Sequence, residues 1–522
     1  MDRRNNYSDH ILMLPFMAHG HLIPFLSLAQ NIHRRRPEIT ITIAATPLNI
    51  QYLRSSLAGS NNNNNNIRLH DLPLSPAAAE QYGLPPGAEN TENLPLDMMI
   101  NLFLASTTLE SPVNDLLVKI TAEEGGRPPL CVISDVFFGW ANDVAKANNT
   151  PNLTFTTGGA YGTLAYISIW LNRPHKRADG QEEEEYFDVP GFGDGRRFHI
   201  TQLHQFLRKS DGTDSWSKFF QIQLCKSLNS HGWLCNSVEE IEPLGFELLR
   251  KYTNRQIWGI GPLLPPQFLL GSSSSSSRRT TAKTHGVSPE KCLEWLQLHE
   301  PGSVLYISFG SQNSINPTQM MELAIGLEQS SVRAFVWVIR PPIGFDKKSE
   351  FRPEWLPEGF EQRVTESKRG LLVRNWAPQL EILSHESVGG FLSHCGWNSV
   401  LESLSQGVPI IGWPLAAEQA FNSKMLVEEM GVAVELARGG VGGLDREDVK
   451  RVVEIVMVNG EEMKRRAVVA SEELKASVRD DGDGKKKGSS AKAMDGFLAD
   501  VLLADRRPVA VERVELKHGS EF

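Results

Sequence analysis

Apolar residues along this chain fall into short blocks, and the blocks change period. Residues 10–16, HILMLPF, form a continuous apolar run of strand length. After AHGH, the segment LIPFLSLAQNIHRRR repeats apolar residues at helical spacing and ends in basic ones, which suit a helix C-terminus. EITITIAAT then alternates and is rich in β-branched residues. Strand, helix, strand in that order predicts a parallel βαβ unit. LCVISDVFFGW at 130–140 predicts a further buried strand ending near Asp135, PNLTFTT at 151–157 a weaker one, and WLCNSVEEIE at 233–242 a strand running into a helix cap.

The rhythm breaks at 265–290. PPQFLLGSSSSSSRRTTAKTHGVS is rich in Pro and Ser, holds to no period and reads as a flexible linker. Beyond it the alternation restarts. SVLYISF, AFVWVIR, LLVRNW, SVGGFLSH and VPIIGWP read as strands, PTQMMELAIGLEQS as an amphipathic helix, and a second helix opens at Asn398. Two doubly wound α/β halves joined by a polar linker are expected. Asn61–Asn66, Glu182–Glu185 and Ser272–Ser277 are biased stretches that read as solvated loop insertions. No repeat at solenoid periods is present.

Composition narrows the function. At 522 residues, a prior of about 150 per domain allows two to four domains. The chain carries 53 Lys and Arg against 62 Asp and Glu, a net charge of −9, which argues against nucleic acid as a partner. Five cysteines with no CxxC pair make a reducing compartment and no structural zinc the expectation. No segment reaches the ~18 uninterrupted apolar residues of a membrane span. The apolar run in MDRRNNYSDHILMLPF is too short for a signal peptide, so cytoplasmic residence is expected.

The densest chemistry lies at residues 376–419, WAPQLEILSHESVGGFLSHCGWNSVLESLSQGVPIIGWPLAAEQ. A strand ends at His394, Cys395-Gly396-Trp397 turn the chain, and Asn398 and Ser399 open a helix. The amides and partial positive charge of a helix N-terminus make a ready anion site, and Gly396 permits close approach. Glu402 lies one turn after Asn398 on the same face, where a carboxylate can meet ribose hydroxyls. A blander reading stands beside this one: Ser399-Val-Leu-Glu402 fits a capping box that merely satisfies the helix's own amides.

Taken whole, the segment resembles the signature box of plant secondary-product glycosyltransferases, the family 1 enzymes that use uridine-diphosphate sugars. The match runs ungapped from Trp376 to Gln419. Gly20-His21, Ser134-Asp135, Ile260-Gly261-Pro262 and Phe309-Gly310-Ser311 extend the likeness over nearly the whole chain, excluding the biased insertions and the tail. The resemblance implies a GT-B fold, two Rossmann-like domains facing across a cleft. Residues 1–264 would hold the acceptor, 265–290 the linker, 291–480 the UDP-sugar, and 481–522 a tail whose helix crosses back to the first domain.

The resemblance also implies roles. Trp376 would stack on uracil beside Ala377 and Gln379, a contact worth roughly 1–3 kcal/mol. His394, Asn398, Ser399 and Ser311 would bind the phosphates, Glu402 the ribose, and Trp397, Glu418 and Gln419 the sugar. Gln419 can both donate and accept hydrogen bonds. Glu418 stands where the family often has aspartate, which shifts the carboxylate by about a bond length. The terminal glutamine points to glucose as donor sugar, where a histidine would point to galactose. UDP-glucose is thus an expected co-substrate, with no other cofactor. Thr157 resembles a sugar- or phosphate-contacting threonine.

Sugar transfer to a hydroxyl needs a base, and an imidazole titrates near working pH. His19 and His21 both follow the first strand. Family likeness selects His21 and leaves His19 as a loop residue, and it makes Asp135 the partner that holds the His21 tautomer. Asp135 could alternatively cap a following helix. Phe16, Phe137 and Tyr161 would line an apolar acceptor pocket suited to a lipophilic phenol or alcohol. Asp481-Gly482-Asp483 matches a manganese-binding DxD formally but reads as a charged turn, and His385-Glu386 lacks a second zinc histidine, so no metal is expected. Gly259-Ile-Gly261 lacks the third glycine of a dinucleotide fingerprint. The expected reaction is inverting transfer of glucose to a small lipophilic acceptor. Its rivals are a non-catalytic nucleotide-sugar or lipophilic-ligand binder, and a UDP-sugar hydrolase or epimerase on the same fold.

Overall fold

The computed structural model describes residues 9–58, 66–92, 94–176, 185–193, 195–270, 286–346, 349–440, 442–480 and 486–504. Most of the asparagine, glutamate and serine runs, the Asp481-Gly482-Asp483 triplet and the tail beyond 504 lie outside these residues. Among the described residues, no helix is long and apolar enough to cross a membrane.

The first lobe is built on β1 (His10–Leu14), β2 (Thr40–Ala45), β3 (Ile67–Asp71), β4 (Cys131–Asp135) and β5 (Asn152–Thr156). A small hairpin, β6 (Tyr186–Asp188) with β7 (Arg197–His199), stands apart, and β8 (Gly232–Cys235) and β9 (Ile257–Gly259) complete the sheet. Its order is β3-β2-β1-β4-β5-β8-β9, all parallel. Both faces are covered, so every strand but the edge strand β3 is buried along its whole length, although β2 and β5 alternate threonines with apolar residues. Ile11 and Met13 pack toward Phe25 and Ile32, while Leu12 and Leu14 pack toward Phe16 and Leu102 on the other face.

The second lobe holds β10 (Val304–Ser308), β11 (Ala334–Ile339), β12 (Gly370–Arg374), β13 (Val388–Ser393), β14 (Ile410–Gly412) and β15 (Ala433–Glu435). Its order is β12-β11-β10-β13-β14-β15, again parallel. In each sheet the strand order reverses beside the first strand, at β1/β4 and at β10/β13. Parallel α/β sheets bind ligands at the carboxyl ends of such a pair. The reversal brings the segment after β1, which carries His21, beside Asp135 at the end of β4. It likewise brings Gly310–Asn313, after β10, beside the box helix Trp397–Ser405, after β13.

Several elements differ from expectation. The segment 265–290 is not wholly aperiodic: Pro266–Leu270 and Pro289–Leu296 are helical at its edges, and 271–285 lie outside the described residues. Glu242 does occupy the N-cap position of the helix Pro243–Thr253 but makes no side-chain cap there. Its carboxylate instead accepts hydrogen bonds from the amides of Ala160 and Tyr161, both at 3.0 Å, at the start of the helix Ala160–Asn172. The helix Ser489–Ala504 lies against the first lobe. Met494, Phe497, Leu498 and Val501 share a core with Trp258 and Ile260.

Candidate functional site

A cavity of about 590 Å³ opens where the carboxyl ends of the two sheets face each other. That volume suits a small-molecule site. Residues of both lobes line it, and side chains bridge the lobes beside it. The Trp397 indole N–H donates to the Asn236 carbonyl at 2.7 Å, and Asn398 Nδ2 to the Gly20 carbonyl at 2.9 Å.

On the first-lobe side, the helix His19–Arg35 starts directly after the turn that follows β1. His19 is its first residue, not part of a loop. It is buried, with its ring 4.3 Å from that of Tyr52 and its Nε2 3.9 Å from Glu92. His21, half a turn on, faces elsewhere. Its Nδ1 lies 2.6 Å from Asp135 Oδ2, and 3.4 Å from Thr157 Oγ1. Asp135 is fully buried and its Oδ1 also accepts the Phe137 amide at 3.1 Å. One carboxylate thus orients the imidazole and turns the chain, so the two readings of Asp135 are not exclusive. With Nδ1–H donated to Asp135, Nε2 keeps its lone pair for an incoming proton. Burial pulls the His21 pKa down, but Asp135 and Glu418 outweigh it and hold the imidazole above the usual histidine value.

On the second-lobe side, Gly396 and not Ser399 is the N-cap of Trp397–Ser405, and no side chain caps that helix end. Ser399 and Glu402 therefore do not form a capping box. Both meet Gln379 instead, whose Nε2 donates to Ser399 Oγ at 2.9 Å and Glu402 Oε2 at 2.6 Å, while Tyr306 donates to Gln379 Oε1 at 3.2 Å. His394 packs between two glycines. A Cβ on Gly310 or Gly396 would come within 2.5 Å of its Nε2. Burial, with the nearby Arg340 charge, lowers His394 to about 4, so the ring is neutral near pH 7 in the protein alone. Asn375 (φ 65°) and Ala417 (φ 51°) take the left-handed conformation just before Trp376 and Glu418. Burial raises the Glu418 carboxyl, partly offset by His21.

Comparison with known proteins adds to this geometry. The family model "UDP-glucoronosyl and UDP-glucosyl transferase" matches residues 278–474, and "Glycosyltransferase, N-terminal domain" matches 9–183. Crocetin glucosyltransferase 3 of Crocus sativus is 44% identical over 453 residues, covering 86% of this chain and 90% of that protein. The chain belongs to the plant family 1 UDP-glycosyltransferases. UDP-glycosyltransferase 92A1 of Arabidopsis thaliana is 40% identical over 503 residues, covering 94% of this chain and 97% of that one. The crystal structure of Glycyrrhiza uralensis UGT73P12, complexed with glycyrrhetinic acid 3-O-monoglucuronide, superposes with a TM-score of 0.78 at 26% identity, covering 96% of each chain. The two facing parallel-sheet lobes are thus a GT-B fold, and the protein is an enzyme of UDP-sugar glycosyl transfer to small acceptors.

Within this glycosyltransferase, the cavity is lined by His21, Phe137, Thr157, Ser311, Trp376, Ala377, Gln379, His394, Trp397, Asn398, Ser399, Glu402, Glu418 and Gln419. Asp135 stands behind His21. Phe16 and Tyr161 are not among the lining residues. Phe16 is buried edge-on to His21 and Phe137, with centroids 5.4 Å from each, and Tyr161 is buried against Phe192. Tyr166, Ile167, Leu224 and Ile23 line the first-lobe side of the cavity and were not singled out from sequence. Adjacent on a helix buried from Ala160 to Trp170, Tyr166 and Ile167 carry no sequence mark of a pocket. Gln419 differs from expectation too. Its Oε1 accepts the Leu415 and Ala416 amides, both at 2.9 Å, so its amide NH₂ is the half directed to a ligand. Trp397 likewise gives its indole N–H to Asn236, leaving its ring face for contact.

Proposed function

We propose that this enzyme is an inverting UDP-glucose-dependent O-glucosyltransferase. It adds a β-linked glucose to a hydroxyl of a small lipophilic acceptor such as a flavonoid, another phenolic or a terpenoid. The observation that carries the reading is the 2.6 Å His21–Asp135 contact at the cavity wall. It fixes the tautomer that leaves Nε2 able to take a proton, on the lobe facing the box helix. The acceptor hydroxyl gives its proton to His21 as its oxygen attacks the anomeric carbon. The bond to UDP breaks on the opposite face, so an α-linked donor yields a β-glucoside. Amides at the start of Trp397–Ser405, with neutral His394 and Ser399, stabilise the leaving diphosphate. Trp376, Ala377 and Gln379 hold uracil, Glu402 the ribose, and Glu418 with the Gln419 amide the sugar hydroxyls. Ile23, Val136, Phe137 and Leu224 make the acceptor side apolar, which favours a lipophilic acceptor. Five free cysteines fit a cytoplasmic location.

The test is incubation with UDP-glucose and a panel of phenols, flavonoids and terpenoid alcohols, read by mass spectrometry and anomeric coupling in NMR. A β-glucoside is expected. Free glucose without glucoside would make the enzyme a hydrolase, and an α-glucoside would rule out single displacement.

A further inference from the structure

Apart from its histidines, every side chain lining the cavity that carries a charge near neutral pH is acidic: Glu290, Glu381, Glu402 and Glu418. A diphosphate entering between such walls meets like charge. His394 is neutral and offers no compensating cation. The compensating charge sits one layer back. Arg340 directly follows β11, is part-buried, and is not a lining residue, whereas Gly310, Ser311, Gln312 and Asn313 are. Its guanidinium donates to three carbonyls of that loop: Ser311 at 2.7 Å, Asn313 at 3.2 Å, and Gly310.

A trans peptide holds its C=O and N–H on opposite sides. Three carbonyls drawn to Arg340 therefore turn the following amides away from it, and two of these, of Ser311 and Gln312, belong to cavity-lining residues. The loop lies between Arg340 and the cavity, so the far side is the cavity side. We infer that Arg340 is a positioning residue for the donor diphosphate, fixing the Gly310–Asn313 loop so that its amides present the guanidinium's charge to the phosphates. This rests on the reading that the diphosphate lies between the loop and the helix Trp397–Ser405. Two further contacts fix the loop in place. Gly310 abuts His394, and Gln312 donates to Thr91 Oγ1 of the opposite lobe. A planar five-donor fork suits three carbonyls, and a lysine point charge does not.

Calorimetric titration of UDP and of uridine into wild type, Arg340→Met and Arg340→Lys separates the possibilities, with melting temperature recorded for each variant. Arg340→Met is expected to lose about tenfold or more in UDP affinity, as for a charged hydrogen-bonding group, with uridine affinity within about twofold of wild type. Arg340→Lys is expected to fall between. In steady state, donor KM rises and acceptor KM stays. Equal losses for UDP and uridine, or none, overturn the inference. Should wild type bind UDP no more tightly than uridine, the placement of the diphosphate fails and the inference with it. Should wild type prefer UDP and Arg340→Met keep that preference, the inference alone fails. If Arg340→Met does not fold, Arg340→Lys decides: a selective loss of UDP affinity supports the inference, and unchanged affinity overturns it.

Discussion

The two oxygens of Asp135 explain why substitution there and at His21 should not be equivalent. One oxygen meets the imidazole and the other the Phe137 amide. His21→Ala is expected to lower turnover by roughly 10²–10⁴-fold, the usual worth of a general base, while UDP affinity survives. Unchanged turnover would move the base elsewhere. The pH profile has a definite sign. His21 acts when neutral, and its pKa is held above 6.5, so kcat/KM should rise with pH through a limb above that value. Asp135→Asn removes the main raising charge and leaves burial, so the limb should move to lower pH as the rate falls; a limb that stays put would assign it to another group. The same shift makes the His21–Asp135 pair stabilising below pH 6.5, a contribution lost as pH climbs through the folded pKa. Glu402→Ala should weaken UDP-sugar binding without changing acceptor KM. If only the melting temperature falls, the role of Glu402 is structural, as acceptor of the Gln379 amide. Most residues brought to the cavity were legible in sequence because short motifs at strand ends hold them. Tyr161 and Phe16 misled because an aromatic next to a motif says nothing about which side of the backbone it leaves. Arg340 carries a sequence signal, a lone charge closing a buried strand, AFVWVIR.

At the scale of elements, Glu242 links two helices that lie far apart in sequence. It is buried, and burial raises its carboxyl to about 7 despite bonds from Ser237, Tyr161 and Ala160. A folded pKa above the unfolded value means stability is fully present below about 4.5 and lost as pH rises through about 7. Glu242→Gln removes this titration. The melting temperature of the variant minus that of wild type should therefore increase from pH 5 to 8 in scanning calorimetry, and a flat difference would show that Glu242 titrates alike in both states. The central strands were legible as apolar runs because both their faces are covered. β3 and β15 were not. β3 is an edge strand with four of its five residues exposed or partly exposed, and β15 has three residues, too few to show a period. The helix Ala160–Asn172 was also missed, since burial on every side erases the polar stripe that marks a surface helix.

For the whole molecule, the return of the helix Ser489–Ala504 to the first lobe decides how the lobes depend on each other. Phe497 is fully buried beside Trp258, their rings 6.1 Å apart. Phe497→Ala is expected to cost about 3–5 kcal/mol, typical for a core aromatic. Chemical denaturation followed by tryptophan fluorescence would read this, and a loss below about 1 kcal/mol would make the helix a peripheral addition. Polar contacts hold the same helix and the segment before it, with Arg35 at 2.9 Å from Asp480 and His231 at 2.8 Å from Asp500. The path of the backbone therefore matters to anyone recombining relatives to exchange acceptor preference. A graft that swaps only the N-terminal portion would leave a foreign amphipathic segment pressed on the new partner's Trp258 face. A working chimera needs the leading part and residues 489–504 taken from one parent, with the intervening nucleotide half from the other.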